Sequence, residues 1–339
     1  MNKVAPSSIA EVVALIGDAR SDGQSLWFAG SGSTPPPSDH TVVSTGQLTG
    51  IVDYKPDDLT VVVRAGTTLA ELDDTLGEHG HTAVLPETSP NRTVGGVVAC
   101  GASGYRRHRY GPTRDRVIGA TIVTGYGEVV HAGGQLVKNV TGYDIARLVT
   151  GSHGALGFIA EISFKLWPEL SAPRTMSVAN PASVRTQLYQ PIAALETESG
   201  GSVYVSRSQP PSLDASVSEG FNWPDPIEEP VVVAVNVPAR LVPEAVDHVR
   251  DMGATRFVAQ HGVGVVDVGW SEIDESRIVG LRAWAESGGG SLVIHRYGPL
   301  SGSLSRWGRT PETVDLQRRL KELFDPDRVC NPGVLPGGV

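Results

Sequence analysis

A chain of 339 residues with 28 Lys+Arg against 37 Asp+Glu carries a formal charge of −9, spread without long runs, which argues against a nucleic acid or an anionic membrane surface as partner. Cys100 and Cys330 are the only thiols, too few for a disulfide framework or for a self-contained iron–sulfur cluster, which takes about four. The first residues lack a charged start followed by an apolar core, and no apolar run reaches bilayer length, so a cytoplasmic chain of two domains with no membrane span is expected.

Taken in order, the chain opens with a helix: Ser7 or Ser8 caps Ile9, Val12, Val13 and Ile16 at helical spacing, with a stop near Gly17. Residues 26–29 read as a short buried strand feeding Gly30-Ser31-Gly32-Ser33-Thr34, and three prolines follow at once, so no helix opens behind that turn. Strands are expected over 41–44, 50–54 and 59–65, then a helix from Leu69 to about His79 capped by Thr67 or Thr68. After small residues over 86–111 comes a hairpin, 117–124 with 128–131, around Gly125-Tyr126-Gly127. A brief helix at 145–150 and a strand at 158–167 complete this half. Residues 168–173 mark a boundary. Beyond it, strands at 202–205, 231–237, 263–268 and 291–295 alternate with helices at 244–252 and 273–285, as in a small α+β domain. Thr310-Pro311-Glu312 starts a last helix that ends near Phe324, and residues 325–333 form a turn sequence.

The most informative stretch is 138–161, where glycines at 142, 151, 154 and 157 sit among Lys138, Asn139, Tyr143 and Asp144 before an apolar strand. Glycine removes the side chain that would keep backbone away from a large flat ligand. The turn at 30–34 invites comparison with a dinucleotide-binding Rossmann turn but lacks its third glycine and its helix. Such a turn is either a nest of backbone N–H groups for a diphosphate or an ordinary surface turn. Glycines at 95, 96, 101 and 104 make a third stretch. Three such stretches, each beside a strand, favour one extended ligand lying across all of them.

Gly95-Gly96-Val97-Val98-Ala99-Cys100-Gly101, Val137-Lys138-Asn139-Val140-Thr141-Gly142-Tyr143-Asp144 and Gly154-Ala155-Leu156-Gly157, with the tail Asn331-Pro332-Gly333, resemble the FAD-binding PCMH-type domain of the vanillyl-alcohol oxidase/p-cresol methylhydroxylase superfamily. Within it the chain is most similar to the FAD-binding subunits of bacterial glycolate oxidases. The resemblance spans nearly the whole chain, is specific over 86–168 and weak over 175–310. It implies an α+β fold: an FAD-binding PCMH-type domain in two parts over 1–170, a small α+β cap over 175–305, and a C-terminal helix and tail over 306–339 packing back on the FAD domain. It also implies FAD and places it residue by residue. Gly30, Ser31, Gly32, Ser33 and Thr34 would hold the diphosphate, and Pro86, Glu87 and Thr88 would line the path to the ribityl chain. Thr93, Gly95, Gly96, Gly101, Ser103 and Gly104 would pass along diphosphate, ribityl and ring. Gly157, Ile159 and Glu161 would meet the adenosine half, and Asn331 would return near the cofactor. Several members attach FAD through a histidine in the first loop; Ser31 and Ser33 stand there in this chain, so non-covalent FAD is expected, with Cys100 a small buried residue.

The implied activity is oxidation of glycolate or D-lactate, a small 2-hydroxy acid, to the 2-oxo acid. Electrons would pass to an iron–sulfur subunit, beside a second FAD subunit, in a complex that a partner brings to the inner face of the membrane. A stand-alone FAD-dependent 2-hydroxy acid or alcohol dehydrogenase and a flavin-less assembly subunit are the alternatives. Hydroxy acid oxidation needs a base for the hydroxyl and a cation for the carboxylate. The cap offers His248, His261 and His295, without the His-x-Gly-Asp-Gly-Asn stretch of catalytic relatives, and no metal-ligand set is assigned. His295 as base and Arg296 as anchor are the candidates, set against a plain strand-end histidine beside a solvated arginine. Arg106-Arg107-His108-Arg109 is the one basic cluster, read as a steering patch for a carboxylate, a contact to the FAD phosphates, a docking patch or a solvated loop.

Overall fold

Ser8 Oγ accepts from the Glu11 amide at 3.2 Å and starts the helix Ile9–Ser21, which buries Val12 and Ile16 completely. It continues through Gly17, past the expected stop, because a Cβ there would meet nothing within 4 Å. A glycine on an open helix face costs only about 1 kcal/mol of propensity. The computed structural model describes residues 2–31, 40–134, 143–206, 215–300 and 304–339. It divides into one unit of Met1–Gly104, Pro112–Glu169 and Pro311–Val339 and another of Tyr105–Gly111 and Leu170–Thr310.

Three sheets build the described part of the first unit, the smallest a pairing of His81–Thr82 with Trp167–Pro168. Another is parallel, in the order Lys3–Val4, Thr41–Ser44, Leu26–Ala29. The third is antiparallel, in the order Ile51–Lys55, Thr60–Arg64, Phe158–Lys165, Val117–Val123, Val129–Gly133. Val61 and Val63 alternate inward from the second strand of that sheet and meet Leu72 and Leu76 from the helix Leu69–Gly77. That helix starts on a reciprocal capping box between Thr68 and Glu71.

The last helix, Val314–Phe324, begins after Thr313 and not at Thr310. Pro311 lies in a turn closed by Val314 N donating to the Pro311 carbonyl at 3.1 Å, so its ring precedes the helix. The segment read as a plain turn then docks as a strand partner. Leu26 N donates to Val329 O at 2.7 Å, and Asn331 N donates to Leu26 O at 3.0 Å.

The second unit is one antiparallel sheet of eight strands, in the order Ser216–Glu219, Pro173–Val178, Gly200–Ser206, Ala193–Thr197, Arg256–Gln260, Val265–Trp270, Val231–Asn236, Ser291–Tyr297. The helices Val242–Asp251 and Glu275–Ser287 supply Val246, Val249, Ile278 and Leu281 to its core, which Trp270 also fills. Strands at Pro173–Val178, Ala193–Thr197 and Arg256–Gln260 and the helix Pro181–Gln187 were not foreseen. The strands are short or alanine-rich, and cross-strand pairing, not local preference, makes them, whereas the helix starts on a local signal, Asn180 capping it with Pro181 in its first turn. Tyr105–Gly111 belongs to this unit although the sequence boundary left it in the first. The Tyr105 and Trp223 rings lie 5.6 Å apart, and Arg109 Nη1 donates to Gln190 O at 3.0 Å and Oε1 at 2.8 Å. Among the described residues no helix is long and apolar enough to cross a membrane.

Candidate functional site

The end of the strand Leu26–Ala29, the helix Val94–Cys100 and the loop before the strand Phe158–Lys165 converge on one open cleft in the first unit. Gly30 and Ser31 line it, with Gly95, Gly96, Gly157, Ile159 and Asn331. A Cβ on Gly30 would collide with Thr93 Oγ1, and Gly96 Cα would lie at 3.6 Å. Glycine at 30 therefore lets two backbones form a common floor. Phe28 and Phe158 meet edge to face at 5.2 Å and make an apolar wall with Ile159 and Val334.

The helix Val94–Cys100 is held by its first turn. Val94 N donates to Thr67 O and Gly95 N to Ala65 O, both at 2.8 Å, while Thr93 Oγ1 accepts from Gly96 N at 3.2 Å. These donors are committed to protein, so Gly95 and Gly96 offer the cleft a side-chain-free surface. A Cβ on Gly95 would stand 2.6 Å from Ala65 Cβ. Gly95→Val is expected to destabilise the first unit by about 1–3 kcal/mol through overpacking, read as a lower thermal midpoint. Gly101 ends the helix at φ +61 against Gly151.

Other sequence candidates lie off the cleft lining. A side chain on Gly104 would run into the Glu87 carboxylate, and Ser103 Oγ accepts from Thr113 N at 2.9 Å, so both brace the loop. Thr93 is the cap beneath the floor; Pro86 and Thr88 are half-buried beside Glu87. Glu161, on the central strand, accepts from Thr121 Oγ1 at 3.2 Å. Gly32, Ser33 and Thr34, with the 138–142 part of the informative stretch, lie outside the described residues. His295 and Arg296 are exposed on the edge strand Ser291–Tyr297 of the second unit, with Arg296 Nη1 donating to Glu229 O at 3.3 Å.

Several lining residues escaped sequence reasoning. Arg92 contributes a guanidinium with no hydrogen bond or ion pair to any described residue. Cys100 lines the cleft and is only half-buried, against the expectation of a buried thiol. His153 holds φ +52 and Gly154 φ +78, left-handed positions that keep the loop's backbone against the lining.

Asn331 ties these walls together. Its Oδ1 accepts from Phe28 N at 2.6 Å, and its Nδ2 donates to His153 O at 2.8 Å and Phe28 O at 3.4 Å. The tail carrying it is anchored by a buried ion pair. Lys321 Nζ, 2% exposed, donates to Asp325 Oδ2 at 2.7 Å, Ala155 O at 2.7 Å and Cys330 O at 2.5 Å. Asp325 accepts in turn from Val329 N at 2.9 Å and Cys330 N at 2.7 Å. Burial, then the Asp325 charge, pushes the Cys330 thiol well above its usual range, so it stays protonated and inert.

A glycine-floored cleft with an apolar wall and a guanidinium that no described carboxylate neutralises suits a flat ligand that also carries an anionic group. FAD has both parts, and these residues fit it.

A family model described as FAD binding domain matches residues 3–133, and one described as FAD linked oxidases, C-terminal domain, matches 295–335. The chain is 44% identical over 123 residues to the glycolate oxidase subunit GlcE of Escherichia coli (strain K12), 35% of each chain. It is 30% identical over 183 residues to the D-lactate dehydrogenase of Archaeoglobus fulgidus, covering 52% of this chain and 41% of that one. The matched stretches thus span well under half of these relatives. A solved structure of alkyldihydroxyacetonephosphate synthase superposes with a TM-score of 0.65 at 17% identity, over 98% of this chain and 77% of that one; at that identity the likeness concerns the fold.

Proposed function

From the premise that this chain belongs to the FAD-linked oxidases, a PCMH-type flavoprotein with FAD as its cofactor, we propose that it is the FAD-binding subunit of a glycolate oxidase-type complex. In this reading it oxidises a 2-hydroxy acid, glycolate or D-lactate, and passes the electrons to an iron–sulfur partner, with a second FAD subunit alongside. The observation that carries the reading is the convergence of Gly30–Ser31, Gly95–Gly96 and Gly154–Gly157 on one cleft with Arg92 and Asn331. The likeness to a glycolate oxidase subunit and to a D-lactate dehydrogenase supports the substrate class.

Bound FAD supplies a two-electron acceptor for the hydride of a CH–OH group. The chain's own residues then have separable tasks. Gly30 and Gly96 give a floor of backbone, and Phe28 and Phe158 exclude water from one side. Arg92 supplies positive charge for the diphosphate. Ser31 offers no imidazole for attachment, so the cofactor is held without a covalent bond. His295 is proposed to take the hydroxyl proton and Arg296 to hold the carboxylate.

Purified full chain should be yellow and release all its flavin on denaturation. A colourless preparation that cannot be loaded with FAD overturns the flavoprotein reading and leaves the assembly subunit. Arg92→Gln should weaken FAD rebinding about tenfold, the equivalent of about 1.4 kcal/mol, by fluorescence titration. Dye reduction by glycolate or D-lactate should appear only with partner subunits present, and His295→Ala should lower kcat/KM there at least a hundredfold. Turnover by the isolated chain would favour a stand-alone dehydrogenase.

A further inference from the structure

The basic run at 106–109 is used neither by the cleft nor by the proposed chemistry. In the second unit the helix Arg107–Tyr110 brings His108 Nδ1 to 3.1 Å from the Pro191 carbonyl. A carbonyl only accepts, so Nδ1 carries the proton and Nε2 keeps its lone pair. That Nε2 faces Gly262, which holds φ +85 in the turn after the strand Arg256–Gln260. A Cβ on Gly262 would lie 2.9 Å from His108 Nε2 and 2.9 Å from Arg185 Cζ, so only glycine lets imidazole and guanidinium both pack against this turn.

The guanidinium of Arg185, on the helix Pro181–Gln187, makes no hydrogen bond or ion pair with any described residue, and its Nε is buried without an acceptor. Burial outweighs the opposing pull of the Pro191 carbonyl and, with a smaller push from the Arg185 charge, takes the His108 imidazole below its usual range, so it is neutral at pH 7. Arg107 is balanced by Asp267, whose carboxyl burial pushes up to about 6 and which is still mostly ionised at pH 7. Arg185 has no ion-pair partner among the described residues. A half-buried guanidinium without a counter-ion calls for an anion, and its planar fork matches a carboxylate. A neutral Nε2 beside it accepts a hydrogen bond and repels a second anionic oxygen, which favours a ligand with a hydroxyl next to its carboxylate.

We propose that Arg185 and His108, over Gly262, form a binding site for a small 2-hydroxy carboxylate, the guanidinium holding the carboxylate and Nε2 accepting from the hydroxyl. The ligand class rests on the proposed function; the test does not need turnover.

The full chain, labelled at histidine ¹³Cε1, is titrated anaerobically at constant ionic strength with sodium D-lactate, sodium propionate or sodium sulfate. The His108 signal among the nine histidines is assigned by its loss in His108→Gln. Expected is a saturable shift with D-lactate, several-fold weaker with propionate, at least tenfold weaker in Arg185→Gln and intermediate in Arg185→Lys. The lysine variant keeps the charge and so carries the test where the glutamine variant fails to fold. No saturable shift, an undiminished one in Arg185→Gln, or equal binding of sulfate overturns the site. A His108 response without dye reduction in the assembled complex would count against the proposed oxidation and leave this site standing.

Discussion

Lys321→Met is expected to lower the thermal midpoint of the first unit by about 5–15 °C, a loss of about 3–5 kcal/mol. The ammonium is 2% exposed and Asp325 0% exposed, so the variant strands a carboxylate in the interior, along with the Ala155 and Cys330 carbonyls that Nζ serves. Asp325→Asn should cost less, because an amide oxygen still accepts from Val329 N or Cys330 N. The double variant Lys321→Met/Asp325→Leu should be less destabilised than the sum of Lys321→Met and Asp325→Leu, since no lone buried charge remains. Differential scanning calorimetry of the four chains checks this; strict additivity would mean that the two groups do not act as a pair. Ala155 adjoins the cleft residue Gly154, so Lys321→Met should also lower flavin retention through gel filtration, although Lys321 does not line the cleft.

The second large effect is expected at Asn331. Asn331→Ala removes three side-chain hydrogen bonds and leaves Phe28 N and His153 O without their partner, for about 2–4 kcal/mol. Asn331→Asp should be worse. Its carboxylate can still accept from Phe28 N, but it can no longer donate and would face the Phe28 and His153 carbonyls with negative charge. Both variants separate the strand Leu26–Ala29 from the 153–157 loop, so the FAD dissociation constant should rise at least tenfold. Asn331→Gly, which accepts φ +38 without strain, should keep the backbone bond to Leu26 yet lose the bracket. If Asn331→Gly retains FAD like the parent, the residue serves the turn alone.

The cleft was partly legible because its floor is written in local signals. Gly30, Gly95, Gly96 and Gly157 stand beside strands and all line it, whereas Thr93, expected along the cofactor, is the helix cap beneath the floor. Gly104 and Ser103 carry the same kind of signal yet serve protein packing. A glycine marks close approach without saying what approaches. Arg92 had no signal at all, since a lone cation is not distinguished by its neighbours, and Cys100, placed in the motif, was expected buried and not on the lining.

Residue order alone therefore narrowed the helix caps to Ser7 or Ser8 and to Thr67 or Thr68, and determined the hairpin around residue 126, the α+β class and the three glycine stretches, because each depends on φ, on periodicity or on a donor a few positions away. Tertiary structure decided which of those glycines face a ligand, where the 105–111 segment belongs, and what the tail does. The bonds that close the cleft join residues 303 apart at Phe28 and Asn331 and 166 apart at Ala155 and Lys321. Contacts so distant leave no periodicity to read. A lysine and an aspartate four apart on an ordinary helix end become a buried pair only because the fold covers them, and burial is a property of the packed chain.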